Sequence, residues 1–346
     1  MIAEYFFREF EATQQETLAR AVQAYESFLS TLKAGRPFKG GMHWKKIKGK
    51  DYLYKYRDRY GNGESLGPRS PETERLFTEF GRERREVAER LASRREDLAA
   101  AARFCRAALI HRVPEAVIKI VRRLELNGLT GATVTVIGTH ALHAYEFAAG
   151  VFIDVPKGSQ FWSGAAQKLT LAAAKPMPPD DLLRLLRQAD RSFQPLPGSG
   201  FKAVNKAGFL VRLARPPVVR AQIRAAPHDA LGPAVPAESG DITALLGAPK
   251  FSQVAIGKRG TPATLVVPDP RALALHKLWL SQQEDREPEK RSRDRAQAMA
   301  LAELILRYLP QYYFFSSQLN LFPPEVVRPA QGLVEGYELS EELEID

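Results

Sequence analysis

The run Ala132-Thr-Val-Thr-Val-Ile137 is β-branched, ends on Gly138-Thr139, and passes at once into the helix-like His140-Ala-Leu-His-Ala-Tyr-Glu-Phe-Ala-Ala149. A strand, a glycine turn and a helix in that order place both strand and helix in the middle of the chain. The same element presents backbone N–H groups and a helix N-terminus to an anion, although Gly-Thr after a strand is by itself a weak signal.

What precedes this element is different in kind. Residues 3–33 repeat apolar positions at helical spacing (Phe6, Phe7, Phe10, then Leu18, Ala21, Ala24, Phe28, Leu32), and Gly35-Arg-Pro37 closes the pattern, which predicts an opening helical segment. From His43 the period changes. Tyr52, Tyr54 and Tyr56 alternate with Leu53, Lys55 and Arg57 between Lys48-Gly-Lys-Asp51 and Gly61-Asn-Gly63, a pattern that predicts a small antiparallel meander over about 43–67. The three tyrosines fall on one face, with Lys55 and Arg57 close by. Such a stripe either stacks bases and holds phosphates or forms the buried face of a small sheet. Pro68-Arg-Ser-Pro71 then opens a long helical region to about His111, and Pro114 starts another helix that Asn127-Gly128 caps.

Composition narrows the partners. The 346 residues are 45% apolar and 26% charged, as in an ordinary soluble protein of two domains. Of the net charge of +10, residues 36–123 supply all, with 23 Lys or Arg against 12 Asp or Glu. A basic region so localised suits an RNA or DNA partner, and equally a solubilising helix surface. From Glu335 to Asp346 the balance reverses to six acids and no base, as expected of a disordered tail. A single cysteine, Cys105, and an acidic start without a signal-peptide pattern favour the cytoplasm. No apolar run reaches 18 residues, so no membrane-spanning helix is expected.

The words Val136-Ile-Gly-Thr-His-Ala-Leu-His-Ala-Tyr-Glu146 resemble a bacterial family of nucleotidyltransferases. Ala189-Asp-Arg-Ser-Phe193, Phe201–Leu213, Ala248–Phe251 and Val266-Val-Pro-Asp-Pro-Arg-Ala-Leu-Ala-Leu-His-Lys-Leu-Trp-Leu280 look like it too, and Asp285–Gln297 completes the similarity over about 135–310. The resemblance implies an α+β fold in which a mixed sheet is flanked by helices. The corresponding boundaries are a basic helical region with its meander at 1–125, a nucleotidyltransferase-like domain at 126–269, a helical region at 270–330 and the acidic tail at 331–346.

It also implies the chemistry. Gly138 and Thr139 would hold a triphosphate, and Lys277 on the helix after Pro270 would face the cleft. Lys290-Arg-Ser-Arg-Asp294 resembles an element of abortive-infection-type toxins in which such residues bind nucleotide phosphates, which adds Lys290 and Arg293. Transfer would need two Mg²⁺ ions held by an Asp-x-Asp pair on the strand after the Gly-Thr helix and by a third Asp on a later strand. Here the sequence departs from the pattern. Residues 155–179 and 191–228 contain no acid, and Arg212 stands where the third Asp is expected. Asp154, just upstream, is the remaining metal candidate, and Mg²⁺ is expected only if the chain is active. His140 and His143 lack a third ligand nearby, and Gly198-Ser-Gly200 and Gly257-Lys-Arg-Gly260 are turns rather than phosphate loops. Three readings follow: a degenerate member that binds nucleotide or nucleic acid, an active enzyme that transfers NMP to RNA or to a protein partner, and a nucleic-acid adaptor acting through the N-terminal arm.

Overall fold

The chain opens with a strand rather than the helix that its apolar spacing predicts. In the computed structural model, which describes residues 5–56, 62–198, 200–215, 242–312, 314 and 327, β1 (Phe6–Glu9) pairs antiparallel with residues 151–154. Phe10 N–H then donates to Gly150 O at 2.7 Å. A partner strand far along the chain overrides the local helical period, as is common where strand pairing decides. The helix α1 (Ala12–Ala34) begins only after it. Contacts divide the chain into two compact units, Glu16–Leu109 and a second formed by Met1–Gln15 with Ile110–Asp346.

The unit Glu16–Leu109 contains the expected meander: β2 (Gly41–Ile47), β3 (Lys50–Tyr56) and β4 (Gly63–Pro68), antiparallel in the order β2-β3-β4. Lys48 and Gly49 both adopt left-handed φ values, 48° and 82°, the geometry that a two-residue hairpin turn demands. The long helix α2 (Pro71–Ala107) starts at a capping box, in which Ser70 Oγ accepts from Thr73 N–H and Ser70 N–H donates to Thr73 Oγ1 at 2.8 Å. Its buried stripe includes Phe80, Val87, Leu98 and Cys105, while pairs such as Arg82–Glu86 occupy the exposed sides. Burial pushes the Cys105 thiol up to about 12, so this residue packs and does not act as a nucleophile.

The larger unit is α+β. The helix α3 (Glu115–Leu126) buries Val117, Ile118, Ile120, Val121 and Leu124 along one side. After it come β5 (Val134–Ile137), a 3-10 turn at Gly138–Ala141, α4 (Leu142–Ala149), β6 (Val151–Asp154), β7 (Lys168–Ala173) and α5 (Pro179–Ala189). The chain continues with β8 (Gln194–Pro195), β9 (Phe201–Val204), β10 (Leu210–Ala214), α6 (Thr243–Gly247), β11 (Lys250–Ile256), β12 (Pro262–Pro268), α7 (Pro270–Gln282) and α8 (Pro288–Tyr308). A five-stranded mixed sheet runs β5-β7-β10-β9-β8, with β7 and β10 parallel and the other neighbours antiparallel. Two-stranded pairs β1-β6 and β11-β12 complete the unit. No helix among the described residues is long and apolar enough to cross a membrane.

Helix α4 is buried on nearly every side, including His143 and Glu146, so its polar groups must be matched internally. Glu146 accepts from Ile153 N–H at 2.8 Å, lies 2.7 Å from His143 Nδ1 and 3.3 Å from Arg112 Nε. Arg112 also donates to Asp154 at 2.9 Å and to the Ile153 carbonyl, and Arg8 reaches Asp154 from β1 at 2.8 Å. Trp162 stacks flat on His143 at 4.8 Å. Partial burial would raise the Asp154 carboxyl, but the hydrogen bonds and charges of Arg112 and Arg8 outweigh it and hold the group below its usual range. A carboxylate so held stabilises the fold above its ordinary value of about 3.9 and ceases to do so as pH falls through its folded value. Asp154→Asn should therefore be less stable than the parent chain at neutral pH, and urea midpoints should show that gap closing below about pH 4.

Candidate functional site

Strand pairing brings three side chains to the same end of one sheet face. In the ladder, Ile137 of β5 is opposite Thr170 of β7, and Thr170 is opposite Arg212 of β10. Lys168 shares that face because side chains two apart on a strand point the same way. Leu169 and Leu171, pointing the other way, are fully buried. Immediately beyond Ile137, Gly138 takes φ +75° to turn the chain from strand to 3-10 turn. A Cβ there would meet no neighbour within 4 Å, so it is the backbone conformation rather than space that favours glycine.

These residues form one wall of a cavity of about 280 Å³. The loop Ser163–Ala165 and the antiparallel helices α7 and α8 supply the others. Lys277 lies on α7, Lys290 and Arg293 on α8, and Arg286 on the link between the helices; all four line the cavity with Gly138 and Thr139. The five residues expected to hold nucleotide therefore come together here. The sequence reading did not single out Lys168, Thr170 or Arg286. The signal for Lys168 and Thr170 was their spacing of two within the acid-free run, which becomes visible only when the strand's limits are known.

The helical wall is organised around a buried acid. Asp294, 2% exposed, accepts from Lys277 Nζ at 3.1 Å and from Arg286 at 2.6 and 2.8 Å. Lys277 also donates to Gln297 Oε1, and Gln297 Nε2 reaches the Phe161 carbonyl and, at 3.3 Å, Thr139 Oγ1. Burial would raise Asp294, and the adjacent Lys277 and Arg286 overcome this and hold it ionised. Burial lowers Lys277, while Asp294 opposes that shift. His140, also on the wall, is pushed down to about 3 by burial and by the neighbouring His143, so it is a neutral imidazole whose Nε2 lies 3.1 Å from Lys168 O.

Six lysines or arginines line the cavity against one acid, and that acid is engaged by two of them. Arg293 Nη1 donates to Ser163 O at 3.3 Å, whereas its Nε is buried with no hydrogen-bond partner. Lys290 pairs with Glu287 at 2.8 Å. Asp154 does not line the cavity, and both of its oxygens face arginines. Among the described residues no three His, Cys, Asp or Glu side chains gather as a metal site would require. The proposed nucleic-acid contacts lie in the other unit. Tyr52, Tyr54 and Tyr56 share one face of β3, Lys55 points to the opposite face with its Nζ 5.8 Å from the Phe80 ring centroid, and Arg57 lies outside the described residues.

A nucleotidyltransferase family model matches residues 115–318, more than half of the chain. The protein belongs to the nucleotidyltransferase family. The match contains every residue lining the cavity, and it ties the strand, the glycine turn and the α7–α8 pair to one familial unit. Comparisons with curated proteins and with solved structures found no match.

The buried acid gives a direct test. Asp294→Asn leaves Lys277 and Arg286 without their countercharge, and breaking a buried pair in this way costs about 3–5 kcal/mol. Equilibrium denaturation of the variant should show that loss.

Proposed function

We infer that the cavity binds a nucleotide through its phosphates and that this chain does not carry out two-metal nucleotidyl transfer. The observation that carries the reading is the trio Lys168, Thr170 and Arg212, side by side next to Gly138-Thr139. Two-metal transfer needs hard carboxylate oxygens at such a place. A lysine and an arginine there repel a divalent cation and attract the phosphate oxygens that the metal would otherwise neutralise.

Mg²⁺ does not suit the residues described. Thr170 offers one neutral oxygen, and Asp294 is committed to Lys277 and Arg286. The cations fit a polyphosphate well: arginine presents a planar fork and lysine a point charge, and the buried Nε of Arg293 is a donor that an anion could satisfy. Lys277 serves this reading less directly, because its ammonium already bridges Asp294 and Gln297. Its role is to hold the helical wall against the turn, while Lys168, Arg212, Lys290 and Arg293 face the ligand.

Titration with ATP, CTP, GTP and UTP, in Mg²⁺ and in EDTA, tests this reading. Binding should persist in EDTA, and Arg212→Ala should weaken it by about tenfold or more, the worth of one charge-assisted hydrogen bond of about 1.5–3 kcal/mol. Replacing Lys168, Thr170 and Arg212 together by Asp should abolish binding in EDTA. Nucleotide binding that requires Mg²⁺ in the parent chain, or transfer of labelled NMP to RNA or protein, would overturn the reading in favour of an active enzyme.

A further inference from the structure

The meander of the other unit sorts its charges between its two faces. Directly opposed residues in antiparallel strands share a face, so His43 and Lys45 of β2 stand beside Tyr54 and Tyr52 of β3, while Ser65 and Gly63 of β4 flank Tyr54 and Tyr56 from the other side. Lys50 belongs to the same face by strand alternation. Both acids of these strands, Asp51 and Glu64, lie on the opposite face, where they are paired in register with Lys46 and Lys55. That opposite face is the one packed on α2: Leu53 is fully buried, Trp44 meets Phe77 at 5.9 Å, and Lys55 lies over Phe80. The tyrosine face is therefore not the core of the sheet. Its rings are half-buried among themselves, His43 and Lys45 are exposed, and the β4 positions beside them are small.

The chemistry of this face is specific. Tyr54 and Tyr56 lie with centroids 6.2 Å apart and planes inclined by 27°, His43 meets Tyr56 at 5.0 Å, and Lys45 Nζ sits 5.4 Å from the Tyr54 centroid. The β2–β3 hairpin, 41–56, holds five lysines against one acid. The whole unit, 16–109, has 21 Lys or Arg against 13 Asp or Glu, an excess of 8 out of the chain's 10. Aromatic rings in a row offer sequence-tolerant stacking, and lysines around them neutralise a phosphate backbone. Bases within a duplex have no free ring faces to offer, whereas those of a single strand do.

We propose that the tyrosine face of the meander is a binding platform for single-stranded nucleic acid, distinct from the cavity. Tyr54 and Tyr56 stack bases, and Lys45 and Lys50 hold phosphates. An acidic protein segment would be drawn by the lysines but would gain no base stacking from the rings.

Fluorescence anisotropy of the full chain with labelled oligo(U), oligo(dT) and a duplex of equal length tests the proposal. Single strands should bind more tightly than the duplex, with affinity falling as salt rises, and the two single-stranded probes separate RNA from DNA as the source. Tyr54→Ala and Tyr56→Ala should each weaken binding by about 5- to 150-fold. Tyr54→Phe and Tyr56→Phe should retain it, and a thermal melt of each variant should match the parent's. Arg212→Ala should leave strand binding unchanged, so failure here is separable from failure of the cavity reading. Alanine variants that fold and bind like the parent, a duplex that binds as tightly, or labelled poly-glutamate that binds with the same tyrosine dependence would overturn the proposal.

Discussion

The carboxylate of Asp294 is the constraint on which the helical half of the cavity depends. It sits in a nearly dry position between Lys277 of α7 and Arg286 of the following link. Burying any one of these charges alone would be prohibitive, so the three must be placed together. Gln297 carries the arrangement onward from Lys277 to Thr139, and hence to the turn at the end of β5. The result is a rigid corner in which helix pair, turn and sheet share one polar network. A buried ion pair contributes little net stability compared with apolar packing, so its value here is geometric.

That corner faces one end of a sheet face, where basic side chains rather than carboxylates are found. Two-metal transfer would need carboxylates at such a place, and here Lys168 and Arg212 stand there instead. The two basic groups come from adjacent strands: Arg212 of β10 lies opposite Thr170 of β7, and Lys168 lies two residues before Thr170 on the same face. A neutral His140 below them adds no further charge. The cavity is thus lined by strands and helices that all lie within the family match, and its charged lining is mainly basic.

Much of this was legible in the residues. The β-branched run before Gly138, the tyrosine alternation and the proline-started helices at 71, 114 and 270 all correspond to elements, because in each the local preference and the tertiary role agree. The opening strand was not legible: Phe6, Phe7 and Phe10 satisfy a helical period, and only pairing with residues 151–154 makes them extended. The start of α4 was placed early for a similar reason, since the sequence does not distinguish a 3-10 turn at 138–141 from a first helical turn. Within the site, the two acid-free runs and Arg212 in the second of them were visible, but Lys168 and Thr170 in the first were not. Lys168 and Thr170 gain meaning only from register. The engagement of Lys277 by Asp294 and Gln297, residues 17 and 20 further along, is likewise a property of how α7 and α8 pack.

The order of segments has a practical side. The basic unit occupies residues 16–109 and is bracketed in sequence by both parts of the larger one, so the chain must leave the larger unit and return to it. Cutting the chain at residue 125 would remove not only the meander but also β1, which pairs with β6, and nearly all of α3, leaving the apolar surfaces those elements cover open to solvent. Keeping β1 and α3 with the larger unit calls instead for two joints, one near 110 and one near 15, the latter in the first turn of α1.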